Sequence, residues 1–214
     1  AEQTGQDLHY AKQLVAEDAF VKTAQAFFAE GGKGLNVTVP FKVDAFHFAQ
    51  QLTQRAQRAG AVNTLAIQAN GRVLGDNTDG IGMVHAMHNL GWELQGKRIL
   101  ILGAGGAVRG IMQPVLAEHP IQVVIANRTV SKAEELAAHF HDLGDVQAFS
   151  FEQLAGESFD VVINGTSASL SGDLPPLPTG LLNPNASCYD LMYGAEPTVF
   201  LQWASEQGAV KLAD

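Results

Sequence analysis

The chain has 214 residues, which suits one large domain or two small ones, and 46% of them are hydrophobic, enough for real cores. A net charge of −9 with no block of like charges argues against a general nucleic-acid or anionic-membrane binder. No apolar run approaches a membrane span, no charged-then-apolar leader opens the chain, and the single Cys188 excludes an internal disulfide, so the cytoplasm is the expected compartment.

Residues Asp7 to Leu14 read as a strand, with Leu8, Tyr10 and Leu14 mostly on one parity. From about Glu17 to Glu30, Phe20, Ala24, Phe27 and Phe28 fall at helical spacing, and Gly31-Gly32 ends the helix. Gly34 to Lys42 is a buried-looking strand stopped by Pro40, which cannot donate to a ladder. Asn36, Thr38 and Lys42 cluster around its end; on local sequence alone they read as a capped helix start with a solvated lysine. A helix is expected from about Lys42 to Gln57, then a strand from Gly60 to Ile67, with Asn70-Gly71 signalling a hairpin into Val73-Leu74. Gly75-Asp76-Asn77-Thr78-Asp79-Gly80 is a turn, in which Asp79 can simply cap the helix from about Ile81 to Leu90 that Gly91 closes.

The next stretch has a different grammar. Lys97-Arg98-Ile99-Leu100-Ile101-Leu102 is a strand buried on both faces; it enters Gly103-Ala104-Gly105-Gly106-Ala107-Val108, then a helix-length segment, then the apolar run Val123-Val124-Ile125-Ala126. This is the layout of a βαβ unit whose first turn approaches a pyrophosphate at a helix N-terminus. Val108 stands where the fingerprint usually has Gly or Ala. After the second strand, an NAD site normally carries Asp or Glu for the ribose 2′-hydroxyl. Here Asn127-Arg128-Thr129 follows, with Lys132 close behind, a set that grips a 2′-phosphate and points to NADP.

The alternation continues with a helix to about Phe140, opened by a capping box of Ser131 and Glu134. Strands follow at Val146 to Phe149, Phe159 to Ile163 and Ser187 to Met192, then a helix from about Pro197 to Gln207. Between the last two strands, Gly165 to Gly180 is a Ser-, Gly- and Pro-rich loop at the carboxyl end of a parallel strand, where ligands sit in open α/β sheets. The fold expected is α/β with two domains: residues 1–78 forming a substrate domain, and residues 79–214 forming a Rossmann-like, doubly wound parallel sheet of about five or six strands. His85 with His88, and His139 with His141, are close in sequence, but no carboxylate or cysteine is set with them at ligand spacing, so no metal is expected.

Six segments, taken together, resemble the shikimate dehydrogenase family: Asn36 to Lys42, Ala59 to Thr64, Gly75 to Gly80, the glycine loop, Asn127 to Thr129, and Tyr189 to Gly194. They occur in the family's order through nearly the whole chain. The resemblance implies NADPH-dependent, reversible reduction of 3-dehydroshikimate to shikimate in aromatic amino acid biosynthesis. It implies Lys42 and Asp79 as the catalytic pair and Thr38, Asn63 and Tyr193 as ligands of the hydroxylated ring. Gly103, Ala104, Gly105, Gly106, Ala107, Asn127, Arg128, Thr129 and Lys132 would hold the dinucleotide, with Leu191 against the nicotinamide. The family's chains are longer, with a preceding serine pair that binds the substrate carboxylate and a closing segment beyond Asp214; the sequence is expected to lack both pieces. The alternatives are a non-catalytic NADP-binding module and a quinate/shikimate dehydrogenase of broader specificity, the latter opposed by Asn127-Arg128, because NAD-using members are expected to carry an acid there. Methylene-tetrahydrofolate dehydrogenase or glutamyl-tRNA reductase would share the second domain but not the Lys42 and Asp79 motifs.

Overall fold

In a computed structural model of the chain, which describes residues 5–166, 168 and 172–214, two sheets are built from consecutive parts of the sequence. The first has four strands, β1 (Gly34–Asn36), β2 (Gln51–Leu52), β3 (Thr64–Ile67) and β4 (Val73–Asp76), in the order β1-β3-β4-β2. The β3–β4 hairpin turns at Asn70-Gly71 as the sequence indicates, with Gly71 at φ +77°. Helices α1 (Phe20–Ala29), α2 (Lys42–Phe48) and α3 (Gln54–Ala59) cover this sheet. Phe20, Ala24, Val37, Ala45, Ala56, Val62, Leu65 and Val73 form its core, with Phe41 stacked on Phe20.

The second sheet is wholly parallel, in the order β10-β9-β8-β5-β6-β7, from β5 (Arg98–Leu102), β6 (Gln122–Ala126), β7 (Val146–Phe149), β8 (Phe159–Asn164), β9 (Leu182–Asp190) and β10 (Lys211–Ala213). Its apolar runs alternate between two cores, which is why they show no polar face. Ile99, Ile101, Val123, Ile125, Val161 and Ile163 pack with α4 (Asp79–Asn89), α5 (Gly106–Ala117) and α6 (Val130–Phe140). Leu100, Leu102, Val124, Ala126 and Val162 pack with α7 (Val199–Glu206) on the other side. Cys188 lies in this second core, and burial pushes its thiol up to about 12, which makes it unreactive.

Several local expectations are corrected. Residues 6–16 form no strand: Leu8, Tyr10 and Leu14 are exposed, and alternation without a neighbouring strand to bond to cannot make a ladder. The expected helix from Lys42 to Gln57 is broken in two. Ala49 turns extended (ψ 134°), the Gln50 N–H donates to the Val73 carbonyl, and β2 pairs with β4 before Thr53 caps α3 by accepting the Ala56 N–H at 3.3 Å. Gly60 is not strand but the left-handed cap of α3, at φ +62°. Ser131 lies inside α6, whose cap position is Thr129. β9 begins at Leu182, five residues before the expected Ser187, and a further short strand, β10, follows α7.

The two sheets are tied together beside α3. An Arg58 Nη2–H donates to the His139 carbonyl (2.6 Å) while His139 Nε2–H donates to the Arg58 carbonyl (2.8 Å). The same guanidinium pairs with Asp142 and lies 5.1 Å over the Phe140 ring. At the end of β4, the Asp76 carboxylate receives two Arg55 N–H groups, the Thr53 hydroxyl (2.6 Å) and the Asn77 N–H (2.8 Å). The Arg55 hydrogen bond, with help from Thr53, holds this carboxyl below the usual carboxylate range against the opposing effect of burial.

A carboxyl depressed on folding contributes stability that is full above its unfolded pKa and is lost as pH falls through its folded value. Arg55 is about a third exposed, so solvent screens part of the pair. Asp76→Asn is expected to cost about 2 kcal/mol at neutral pH, and the gap to wild type to close as pH falls below about 4. Urea denaturation of both proteins as a function of pH measures it; a gap that stays constant with pH contradicts the assignment.

Candidate active site

Four chain segments converge where the two sheets meet. The turn after β1 contains a cis Val39-Pro40 bond and is closed by the Phe41 N–H on the Thr38 carbonyl (3.0 Å), so α2 starts at Lys42, one turn from Thr38. The Val62 N–H donates to the Lys42 carbonyl (2.8 Å) and the Val37 N–H to the Asn63 carbonyl (2.7 Å), which fixes this turn against the start of β3. The fourth segment is the first turn of α4, which carries Asp79.

Side chains complete the cluster. Lys42 Nζ donates to Asp79 Oδ2 at 2.8 Å, and Asn63 Nδ2 donates to Asp79 Oδ1 at 2.7 Å. Asn63 Oδ1 accepts the Thr78 N–H (3.0 Å) and the Thr64 hydroxyl (2.9 Å), so its carboxamide orientation is determined by its partners. Lys42 and Asp79 keep 16% and 33% of their side-chain surface in solvent, whereas Asn63 is buried. The pair is therefore held rigidly from behind and open on one side, the condition for exchanging a proton with a bound molecule.

Asp79 is placed by the packing of α4 on α5. A Cβ at Gly80 would lie 2.4 Å from the Gly110 carbonyl oxygen and 2.8 Å from Ile111 Cα, so only glycine permits this approach. The same helix α5 begins at the glycine loop. Gly103 has φ +99°, and a Cβ there would come within 3.0 Å of the Gly165 carbonyl oxygen. Gly105 and Gly106 face open space, and α5 opens without a side-chain cap on its first N–H groups. Val108, out of place in the fingerprint, is accommodated at the end of β8, the strand next to β5. A Cβ at Gly165 would lie 2.5 Å from Val108 Cγ2 and 3.1 Å from Leu191 Cδ1.

Where β6 ends, Asn127 Nδ2 donates to the Thr129 carbonyl (2.8 Å) and shapes the entry to α6. Arg128, Thr129 and Lys132 are exposed there, and the two cationic side chains form no ion pair among the described residues. Such a surface suits a phosphate group. No group of three or more His, Cys, Asp or Glu side chains able to hold a metal exists among the described residues.

Residues 1–65 match the family description "Shikimate dehydrogenase substrate binding domain" and residues 85–171 "Shikimate / quinate 5-dehydrogenase". The shikimate dehydrogenase (NADP(+)) of Cellvibrio japonicus is 70% identical over 214 residues, which is all of this chain and 78% of that protein. The chain belongs to the shikimate dehydrogenase family. Among solved structures, an Ael1 enzyme from Pseudomonas putida is 44% identical with a TM-score of 0.90, over all of this chain and 78% of that one. Shikimate 5-dehydrogenase from Thermus thermophilus, solved with NADP(H) and shikimate, is 31% identical with a TM-score of 0.77, over 92% of this chain and 72% of that one.

Of the residues that the shikimate dehydrogenase resemblance singles out, Lys42, Asn63 and Asp79 meet directly, and Thr38 lies on the adjoining turn. Leu191 sits at the end of β9 beside Gly165, with its N–H on the Asn164 carbonyl (2.9 Å). Tyr193 is 83% exposed and forms no hydrogen bond among the described residues, so this structure does not join it to the cluster. Sequence reasoning missed Gly80, Gly110 and Gly165, whose role is visible only once their packing partners are known. It also missed Asn164 and Asp190, buried and bonded to each other at 3.1 Å between the ends of β8 and β9.

Gly165→Ala is expected to cost about 1–3 kcal/mol by overpacking, and the double variant Gly165→Ala/Val108→Ala to recover most of it. Thermal denaturation of the single and double variants measures the coupling. Additive losses would contradict the contact between these two positions.

Proposed function

We propose that this chain catalyses the reversible, NADPH-dependent reduction of 3-dehydroshikimate to shikimate in aromatic amino acid biosynthesis. The observation that carries the reading is the Lys42–Asp79 pair, braced by Asn63 and partly open to solvent. The 70% identical relative named for this activity supports it, as does the structural neighbour solved with NADP(H) and shikimate. We assign residues 1–78 to the substrate domain and residues 79–214 to the nucleotide domain. The cytoplasm is the compartment proposed; among the described residues no helix is long and apolar enough to cross a membrane.

The nucleotide site fits a dinucleotide with a 2′-phosphate. Gly103, Ala104, Gly105, Gly106 and Ala107 are assigned to the pyrophosphate: Gly105 and Gly106 face open space, and α5 opens there without a side-chain cap on its first N–H groups. Arg128, Thr129, Asn127 and Lys132 supply cations and polar groups at the end of β6 and make no acidic surface that would repel the 2′-phosphate. Leu191 is the apolar wall assigned to the nicotinamide. When bound, NADPH supplies the hydride for the ring carbonyl carbon.

The chain's own residues handle the oxygen and its proton. The Lys42 ammonium donates a hydrogen bond to the oxygen on which negative charge develops and delivers the proton, while Asp79 fixes the ammonium and shares the proton in both directions. Asn63 and Thr38 are assigned to orienting the ring hydroxyls, Asn63 from a buried position beside Asp79 and Thr38 from the exposed turn before α2. Tyr193 is assigned to the ring as well, which requires its exposed loop to close over the substrate.

Lys42→Ala and Asp79→Asn are each expected to lower kcat by about 10²–10⁴-fold with NADP affinity by calorimetry nearly unchanged. Retained turnover in both variants overturns the assignment. Arg128→Ala is expected to weaken NADP binding while leaving NAD binding unaltered, so the ratio of kcat/KM for the two cofactors falls; an unchanged ratio contradicts a 2′-phosphate role for this side chain.

A further inference from the structure

The Asn77 side chain touches three of the segments around the site: the one that leads to Asn63, the start of α4 and the glycine-loop helix α5. It is 2% exposed, so its carboxamide must find partners inside the protein. Its Nδ2 donates to the Ala61 carbonyl (3.1 Å), in the segment that leads to Asn63, and its Oδ1 accepts the N–H of Asp79 (3.2 Å). Its backbone N–H is held by the Asp76 carboxylate at 2.8 Å. The flat side of the carboxamide rests on the glycine-loop helix: a Cβ at Gly110 would stand 2.9 Å from both Nδ2 and Oδ1. Gly80, three residues on, touches the same Gly110 through its carbonyl.

We infer that Asn77 is a positioning residue that sets the distance between Asp79 and the nucleotide loop. The inference rests on the function proposed above. Asp79, which holds the Lys42 ammonium, stands at the start of α4 and the dinucleotide loop at the start of α5. Hydride and proton must reach the carbon and the oxygen of one carbonyl group, so the two helix starts have to be in register. Gly80 and Gly110 allow the backbones to approach, and the Asn77 carboxamide, wedged between Gly110 and the Asp79 N–H, fixes where α4 begins along α5. A displacement of about 1 Å at a reacting group is enough to cost about 10²-fold in rate. An ordinary capping residue would explain the Asp79 bond but not the simultaneous contacts with Ala61 and Gly110.

The test compares Asn77→Ala, Asn77→Ser and Gly110→Ala with wild type. Asn77→Ala removes both carboxamide bonds. Asn77→Ser retains an oxygen able to accept the residue 79 N–H. Gly110→Ala leaves Asn77 chemically intact and displaces it. The expected result for Asn77→Ala and Gly110→Ala is a fall in kcat of about 10²-fold in the folded fraction, with NADP affinity by calorimetry and the substrate KM little altered. The deuterium isotope effect measured with labelled NADPH should rise as the chemical step becomes limiting, and Asn77→Ser should recover part of kcat. Wild-type kcat in folded Asn77→Ala, with only a lowered Tm, would overturn the inference and leave Asn77 a purely structural residue. If Gly110→Ala does not fold, the Asn77→Ala and Asn77→Ser pair decides alone. Absence of turnover in the wild-type protein would overturn the proposed function first, and this role with it.

Discussion

A lysine ammonium and a carboxylate 2.8 Å apart, drawn from helix starts 37 residues apart in the chain, are the constraint around which this molecule is arranged. Partly buried ion pairs stabilise little by themselves, because desolvation offsets their attraction. Their position is therefore set by other contacts. Lys42 is held by the turn at Thr38 to Phe41 and by the Val62 N–H on its carbonyl; Asp79 is held by Asn63, by Asn77 and by the first turn of α4. With both backbones and the Asp79 carboxylate fixed, the entropy cost of forming the pair falls mainly on the Lys42 side chain, and the pair remains partly in solvent.

The second theme is close approach of backbones. Gly80 against Gly110 brings α4 onto α5, and Gly165 against Val108 and Leu191 brings the end of β8 onto the start of α5. Each contact excludes even a methyl group without movement. They tie the start of α4 with Asp79, the glycine loop and Leu191 to one helix. The tie between Arg58 and His139 anchors the small sheet to the large one at a separate point, so movement between the two is restricted to what these joints permit. A fold arranged in this way can support other reactions on a similar scaffold, which is why the functional reading rests on Lys42, Asn63 and Asp79 and not on the sheet order.

Much of this was legible in the residues. The parallel sheet declared itself because strands buried on both faces are continuous apolar runs, as in Ile99 to Leu102 and Val123 to Ala126, and the glycine cluster between them has few other uses. The small sheet was harder. The segment from Lys42 to Gln57 has helical spacing throughout, yet the Val73 carbonyl and the Thr53 cap outcompete continuity at Gln50. Residues 6–16 show strand alternation, but alternation does not supply a hydrogen-bonding neighbour. The candidate pair itself could not be told from a helix cap and a solvated lysine by local sequence, since both readings use the same residue types. What distinguishes them is a contact across 37 residues, and the resemblance to a family supplied that in advance. Gly110 and Gly165 carried no such signal, and Asn77 and Gly80, although inside the Gly75 to Gly80 segment, were assigned no role by it, because a glycine or asparagine in a turn-rich stretch already has a local explanation.

The most direct measurement is the rate at which the wild-type protein reduces NADP+ when shikimate is added, followed by the near-ultraviolet absorbance of NADPH, with NAD+ and with quinate as comparisons. Shikimate-dependent reduction of NADP+ is expected, and much slower reduction when either NAD+ or quinate replaces its counterpart. A protein that binds NADP+ by calorimetry but gives no shikimate-dependent signal would contradict it and would leave a nucleotide-binding module without this chemistry.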